Sequence, residues 1–380
     1  GMATMFAIGG GALISKSFGS GNILEANLIF RQVFKFLLIL SFIISLICFL
    51  FTGPIVKGLG ATADLYESAK IYLRFYSIFC IPNIIGIALN SFIRNDENPK
   101  LAMIATIAGA ITNIGLDYLF IFPLKLGLFG AALATGLGQL VTVSILLLHF
   151  IFRKGKLRFG NVKLDSTMIK KFSVIGFPSF FAEAAFSIII YLTNIALIFT
   201  VGEVGITTYS IINYLTTPIY MLLLGLAFGA QPLISYHFGA KEVEPMLTYY
   251  RLTNRANYLL NLLFIGICFF FGQQLISIFT SDEQIIEMSY IGLNLANAAF
   301  IIIGVNLNTT IYYQAIEITK YSNLICACRS VIFLPVVLFI LTKLFGLPGI
   351  WLSLLVSELL TMLFFLIFTN IKVITKNALN

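Results

Sequence analysis

Charge is what this sequence has least of. Only 11% of its 380 residues are Asp, Glu, Lys or Arg, where a soluble domain carries about 25%. A water-facing surface cannot be built from so few. Cysteine is sparse too, limited to Cys48, Cys80, Cys268, Cys326 and Cys328, all in or near apolar segments. Cys326 and Cys328 stand two apart and would point about 200° apart on a helix, a poor geometry for sharing a metal. Neither a disulfide framework nor a zinc site is indicated, and the five read as small packing residues. The two histidines, His149 and His237, fall at predicted cytoplasmic helix ends. There is no metal motif, no nucleophile–base arrangement and no nucleotide-binding signature. Gly9-Gly10-Gly11 has no strand before it and no phosphate-loop pattern after it, and reads as close helix packing. These absences exclude an enzyme, a resident metal and an organic cofactor. Lacking a soluble nucleotide domain, the chain is not an ATP-driven pump either.

What is present is apolar. Hydrophobic residues make up 59% of the chain, and the mean hydropathy is +0.98. Successive apolar stretches fall near 31–53, 68–93, 101–122, 129–151, 170–200, 206–236, 250–272, 284–316, 323–345 and 349–371. Each is about the 20 residues a helix needs to cross a bilayer. A first stretch, ending near Ser15, is too short to span alone. Barrel strands would alternate in polarity over about 10 residues, which these do not. The predicted fold class is an all-α polytopic membrane protein.

The net charge of +8 would suggest nucleic acid in a soluble protein, but its distribution explains it better. If the Lys16–Lys35 connection is cytoplasmic, the opposite side holds only Lys57, Lys70, Arg74, Lys125 and Lys343 of the 24 Lys and Arg. That is the positive-inside bias, so no nucleic-acid partner is expected. The longest basic connection, Arg153 to Lys171, holds seven Lys or Arg, and anionic lipid headgroups suit it as partner.

The chain also repeats itself. Leu13-Ile14-Ser15 with Phe18-Gly19 returns as Leu233-Ile234-Ser235 with Phe238-Gly239. Gly86, Leu89 and Asn90 return as Gly304, Leu307 and Asn308, and Gly127-Leu128-Phe129-Gly130 as Gly346-Leu347-Pro348-Gly349. A period this long is not a solenoid unit; in an apolar chain it marks a transporter of two similar lobes. The predicted division is an N-terminal lobe over 1–152, a linker over 153–169 and a C-terminal lobe over 170–380. Six crossings per repeat make the lobes parallel, related by a pseudo-twofold axis along the membrane normal. Projected backward, residues 170–227 have almost no counterpart, so the N-terminal lobe is expected to lack its first helix and part of its second. An opening Gly1 agrees with a fragment, and about 11 helices are expected, the first partial.

Polar residues inside the spans are the candidate site. Asn113 and Asp117 are four apart and share a helix face. Asp117 lies roughly 9 Å from its helix end at Pro123, and Thr135 about 8 Å into the returning helix from Gly130. An intramembrane carboxylate at that depth is expected to face the lobe interior, paired or able to take a proton. At the repeat offset the pair becomes Ile332 and Val336, so the C-terminal lobe lacks it. Glu183, about 18 Å beyond Lys171 at helical rise, sits near the midplane, where substrate and coupling-ion sites occur. It is a candidate to bind a cationic compound, exchange a proton, or pair with Asn194 or Asn213. Glu358 is again at mid-depth, and its counterpart Gln139 suggests an inward polar position in both lobes, for function or for packing. Arg329 is six residues inside its helix and is expected to snorkel to the cytoplasmic surface. Gln231 reads as structural beside Pro232. Tyr220, Met221, Phe180 and Phe181 are pocket candidates, since aromatic rings accept flat cations.

Gly229-Ala230-Gln231-Pro232-Leu233-Ile234-Ser235 with Phe238-Gly239-Ala240 resembles the end of the eighth helix in multidrug and toxic compound extrusion (MATE) transporters. Asn113-Ile114-Gly115-Leu116-Asp117-Tyr118-Leu119-Phe120, then Gly130-Ala131-Ala132 and Ala134-Thr135, resembles the fifth and sixth helices of its prokaryotic DNA-damage-inducible/MepA-like branch. Gly176-Phe177-Pro178 is similar to the start of the seventh. The resemblance covers the whole chain in order. It implies twelve helices in two six-helix lobes, in a bacterial inner-membrane protein acting as a monomer with both ends of the full protein cytoplasmic. It also implies antiport of amphipathic organic cations against H⁺ or Na⁺ by alternating access. In that branch an Asn and an Asp on helix five and a Thr on helix six form a cation site, which maps onto Asn113, Asp117 and Thr135; an Asp from helix one completes it. Glu183, Glu358, Asn194, Asn213 and Gln139 remain candidates for a substrate or second coupling site. Two other readings stand beside export: a lipid-linked oligosaccharide flippase, which should carry deep Arg or Lys for pyrophosphate, and a non-transporting scaffold.

Overall fold

The computed structural model describes residues 1–58, 63–368 and 371–379. The end of the predicted 349–371 stretch, at 369 and 370, lies outside them. Fifteen α-helices follow in chain order: α1 Met2–Gly19, α2 Ile23–Leu50, α3 Thr52–Gly58, α4 Ala63–Ile78, α5 Cys80–Asn95, α6 Pro99–Ile121, α7 Gly127–Ile151, α8 Ser166–Thr200, α9 Glu203–Gly239, α10 Val243–Ser277, α11 Glu283–Ala315, α12 Thr319–Ala327, α13 Phe333–Phe345, α14 Leu347–Phe368 and α15 Ile371–Leu379. Among the described residues, nine helical spans are long and apolar enough to cross a membrane, or ten with the bent pair α4–α5. The protein is a multi-pass, all-α membrane protein. It contains two compact units, Met2–Gly176 and Phe177–Asn380 with Gly1.

Proline accounts for both departures from the ten apolar stretches. The stretch at 68–93 is bent by 52° at Phe79. Pro82, third residue of α5, clashes with the carbonyl four residues back, that of Ile78, and donates nothing to it. The stretch at 323–345 carries a π-helical turn, Cys328–Ile332, between α12 and α13. Pro335 leaves the Val331 carbonyl without its helical donor, and a π turn is one way to absorb such a defect.

The repeat survives as geometry where residue identity is lost. Ser15 Oγ donates to Asn95 Oδ1 at 2.5 Å, and its counterpart Ser235 Oγ donates to the Ala315 carbonyl at 3.0 Å. The bonds join α1 to α5 and α9 to α11, each across 80 residues and at corresponding places in the repeat. Left-handed backbone recurs in register at Gly21 and Lys241, at Glu97 and Glu317, and at Gly127 and Gly346. Only at Gly21 and Lys241 does the residue type differ between the halves, so there the match shows in the backbone alone.

The basic connection after α7 is strapped to the Met2–Gly176 unit rather than loose. Asp96 and His149, both 1% exposed, pair at 2.8 Å. The same carboxylate accepts from the Lys156 backbone N–H at 2.7 Å and from that of Leu157 at 3.3 Å. Asn27 bonds both Arg158 N–H, at 2.7 Å, and the Lys156 carbonyl, at 3.1 Å. Gln32 does the same for Asp165 N–H and the Lys163 carbonyl. Phe159 from this segment packs on Phe30, which stacks on Phe150 at 5.1 Å. Arg153, Lys154 and Lys163 stay exposed. Asp96→Ala would leave two backbone N–H groups and an imidazole without their acceptor, at roughly 1–3 kcal/mol for each buried orphan. Limited trypsin digestion at Arg153 to Lys163 is expected to run about tenfold faster in that variant; an unchanged rate would mean that the strap is held elsewhere.

Candidate functional site

In the Met2–Gly176 unit the site is set by a close approach of α6 and α7. A Cβ on Gly138 would lie 2.8 Å from the Gly109 carbonyl and 3.0 Å from the Asn113 Cβ, so only glycine permits this spacing. Across it, Asn113 Nδ2 donates to Asp117 Oδ2 at 3.2 Å and to Thr135 Oγ1 at 3.5 Å. Thr135 Oγ1 donates in turn to the Ala131 carbonyl at 2.9 Å, the helical back-bond that keeps its lone pairs turned toward Asn113. Asp117 Oδ1 is buried and has no hydrogen-bond partner. No Lys, Arg or His pairs with Asp117 among the described residues. The three predicted residues therefore meet, with one carboxylate oxygen unused beside an amide and a hydroxyl. Such a set suits a proton or a hard cation. Their counterparts Ile332 and Val336 are exposed, at 46% and 57%, as lipid-facing residues would be.

The Phe177–Asn380 unit corrects one expectation. Arg329 does not snorkel to the surface; it is 7% exposed, and Glu358 is fully buried. Arg329 Nε donates to Glu358 Oε1 at 2.8 Å and Oε2 at 3.0 Å, and Nη2 to Oε1 at 2.7 Å. Asn306 Nδ2 completes the carboxylate, donating to Oε2 at 2.6 Å. The physical reason is pairing. A guanidinium held in a fork by a carboxylate gains more than one trailing toward a distant interface. Arg329 lies in the π-helical turn.

The pair lines a cavity whose walls include Phe186, Tyr209, Asn213, Thr217, Tyr220 and Phe300. Glu183 is exposed and lines an adjoining cavity with Tyr220 and Met221. Its expected pairing with Asn194 or Asn213 is absent among the described residues. Asn194 lines neither cavity, and its Oδ1 is buried without a partner. Phe180 and Phe181 pack on Phe177 at 6.2 Å and line neither cavity. Gln139 belongs to α7 in the Met2–Gly176 unit, where it is half-buried. Gln231 Nε2 donates to Ser235 Oγ at 3.2 Å, a bond within its own helix. No group of three His, Cys, Asp or Glu able to hold a metal occurs among the described residues.

The MatE family model matches residues 1–119 and 178–339. The multidrug export protein MepA of Staphylococcus saprophyticus is 26% identical over 360 residues, covering 94% of this chain and 79% of that protein. MepA of Staphylococcus aureus is 26% identical over 361 residues, with the same shares. Among solved structures, an outward-facing multidrug resistance MATE family transporter of the MOP superfamily matches with a TM-score of 0.92 at 20% identity, over 100% of this chain and 85% of that one. A MOP superfamily transporter from Pyrococcus furiosus matches with a TM-score of 0.92 at 20% identity, over 99% and 84%. Those structural likenesses show a shared fold.

Proposed function

The chain belongs to the MatE family, and we propose that it is a secondary active multidrug exporter of a bacterial inner membrane, exchanging amphipathic organic cations for H⁺ or Na⁺. What supports export is the family, together with relatives described as multidrug export proteins. What carries the coupling half is one observation, the unused buried oxygen of Asp117 beside Asn113 and Thr135. A cation or proton entering there neutralises the carboxylate, and discharge on the other side of the membrane restores it. Coupling follows if the charged and neutralised sites favour different arrangements of the two lobes, because a ligand shifts an equilibrium only by its differential affinity. The flippase reading asks for deep cations free to hold pyrophosphate. Arg329 is deep, but Glu358 neutralises it.

The test is ethidium movement in proteoliposomes with a pH gradient and a sodium gradient imposed separately. One gradient is expected to drive ethidium at least about tenfold faster than no gradient, an effect that a tenfold ion gradient, about 1.4 kcal/mol, suffices to supply. The gradient that works names the ion. If neither moves ethidium or any of a panel of organic cations, export by antiport is wrong for this chain.

A further inference from the structure

The strapped basic connection of the Met2–Gly176 unit meets α2 at a depth that can be counted. About 20 residues cross a bilayer as helix, and counted back from Leu50 at the far end of α2 they end at Arg31. Arg31 therefore stands at the edge of the hydrocarbon, level with lipid phosphates. Arg31, Lys35, Leu38 and Phe42 form one stripe of α2 at helical spacing. On the hydrocarbon side, Leu38, Ile39 and Phe42 line an apolar groove with Ile81 of α5.

At the other end of the stripe the cations are held by backbone, not by carboxylates. Arg31 Nε donates to the Arg158 carbonyl at 3.0 Å. Arg158 Nη1 donates to the Leu157 carbonyl at 2.8 Å and Nη2 to the Arg153 carbonyl at 3.4 Å. A guanidinium carries five N–H donors, so most of theirs have no acceptor among the described residues. Both side chains line one groove. Glu25 shares that groove, but it accepts from Asn22 Nδ2 at 3.1 Å and lies six residues, about 9 Å, nearer the helix start. Lys156 pairs with Glu97 at 2.6 Å. No carboxylate pairs with Arg31, Arg153, Lys154, Arg158 or Lys163 among the described residues. Gly160 lets the connection lie this close, since a Cβ there would come within 2.7 Å of Arg31 Cζ. A loose basic loop draws anionic lipid through its field alone, which salt screens. Two guanidinium groups fixed side by side recognise a phosphate by geometry.

We propose that Arg31 and Arg158 form a fixed site for the headgroup of an anionic phospholipid. Its phosphate takes the unused guanidinium donors, and an acyl chain lies in the groove of Leu38, Phe42 and Ile81. The buried acceptors Asp96, Asn27 and Gln32 serve the site by holding the connection in place. The apolar groove continuing from the cations favours a lipid over a free phosphate.

The probes are dioleoyl phosphatidylglycerol and dioleoyl phosphatidylcholine, whose choline offsets the phosphate charge. Each is titrated against the 380-residue chain in a non-ionic detergent, and bound lipid is counted by native mass spectrometry. Phosphatidylglycerol is expected to bind about tenfold more tightly, the lower end of what a charge-assisted hydrogen bond contributes. In Arg31→Gln with Arg158→Gln the ratio falls to about one. Two further variants separate a fixed site from a diffuse field. Gly160→Val leaves the charge unchanged and displaces only the flexible end of Arg31, so the fold holds. Its ratio is expected to fall at least about threefold, as the loss of one hydrogen bond would cause. Asp96→Ala makes the face more positive while freeing the connection, so a field alone would raise the preference, and the site requires it to fall. Equal binding of the two lipids to the unmodified protein overturns the proposal. So does a ratio that survives in the double variant, stays unchanged in Gly160→Val or rises in Asp96→Ala. Should Asp96→Ala not fold, Gly160→Val decides alone. Millimolar inorganic phosphate is expected to leave the lipid bound, and displacement by it would overturn the lipid assignment.

Discussion

Asp117→Asn abolishes gradient-driven ethidium transport in proteoliposomes while leaving the protein folded. The substitution keeps the shape of the side chain and an acceptor for Asn113 Nδ2, which now bonds Asp117 Oδ2 at 3.2 Å. It removes the charge and the ability to take a proton. At an effective dielectric of about 20, a carboxylate and a monovalent cation 4 Å apart gain about 4 kcal/mol. Losing that term lowers ion occupancy roughly a thousandfold, enough to bring coupled transport to the level of empty liposomes. Folding should hold, because Asp117 makes no ion pair among the described residues and one of its oxygens already lacks a partner. Asp117→Glu keeps the charge but moves it by one methylene, and should retain part of the activity. Transport undiminished in Asp117→Asn would move coupling to Glu183, whose carboxylate pairs with no cation among the described residues.

Arg329→Ala or Glu358→Ala destabilises the protein by about 3–5 kcal/mol, since either leaves a buried charge without its partner. The double variant Arg329→Met with Glu358→Gln recovers most of the loss, because replacing both ends of a buried pair is often close to neutral. Unfolding in detergent micelles, followed for the wild type, the two singles and the double, forms a closed cycle from which the pairwise term is read. A positive coupling of several kcal/mol is expected. Single variants within about 0.5 kcal/mol of wild type, the range of ordinary surface substitutions, would mean that the pair opens readily and is not a fixed part of the fold.

Much of this was readable in advance, and the reasons differ by feature. Ten apolar stretches became nine spans and one bent pair, because hydrocarbon thickness imposes a length that a sequence window measures directly. Asn113 and Asp117 met because an i, i+4 spacing on a helix guarantees it. Thr135 joined them because the turn between α6 and α7 is short enough to match depths by counting residues. Arg329 was misplaced for the opposite reason. Counting from the helix end measures distance to the interface, but Glu358 lies 29 residues away in sequence, and no spacing rule links them. The Pro82 and Pro335 defects were visible as residues, while the direction and size of the resulting breaks were not.

By itself the sequence determined the class, the spans, the repeat and the polar cluster of α6 and α7. Each of those depends on local periodicity, or on residues within one hairpin, where chain geometry leaves few alternatives. Only the tertiary structure decided that the basic connection is strapped beneath Asp96 and Gln32, that Arg329 and Glu358 neutralise each other, and that Glu183 stays unpaired beside their cavity. Those facts depend on which helices pack together. In an apolar bundle that choice is made by close van der Waals fit and by a few buried polar bonds, acting between residues that sequence distance does not relate.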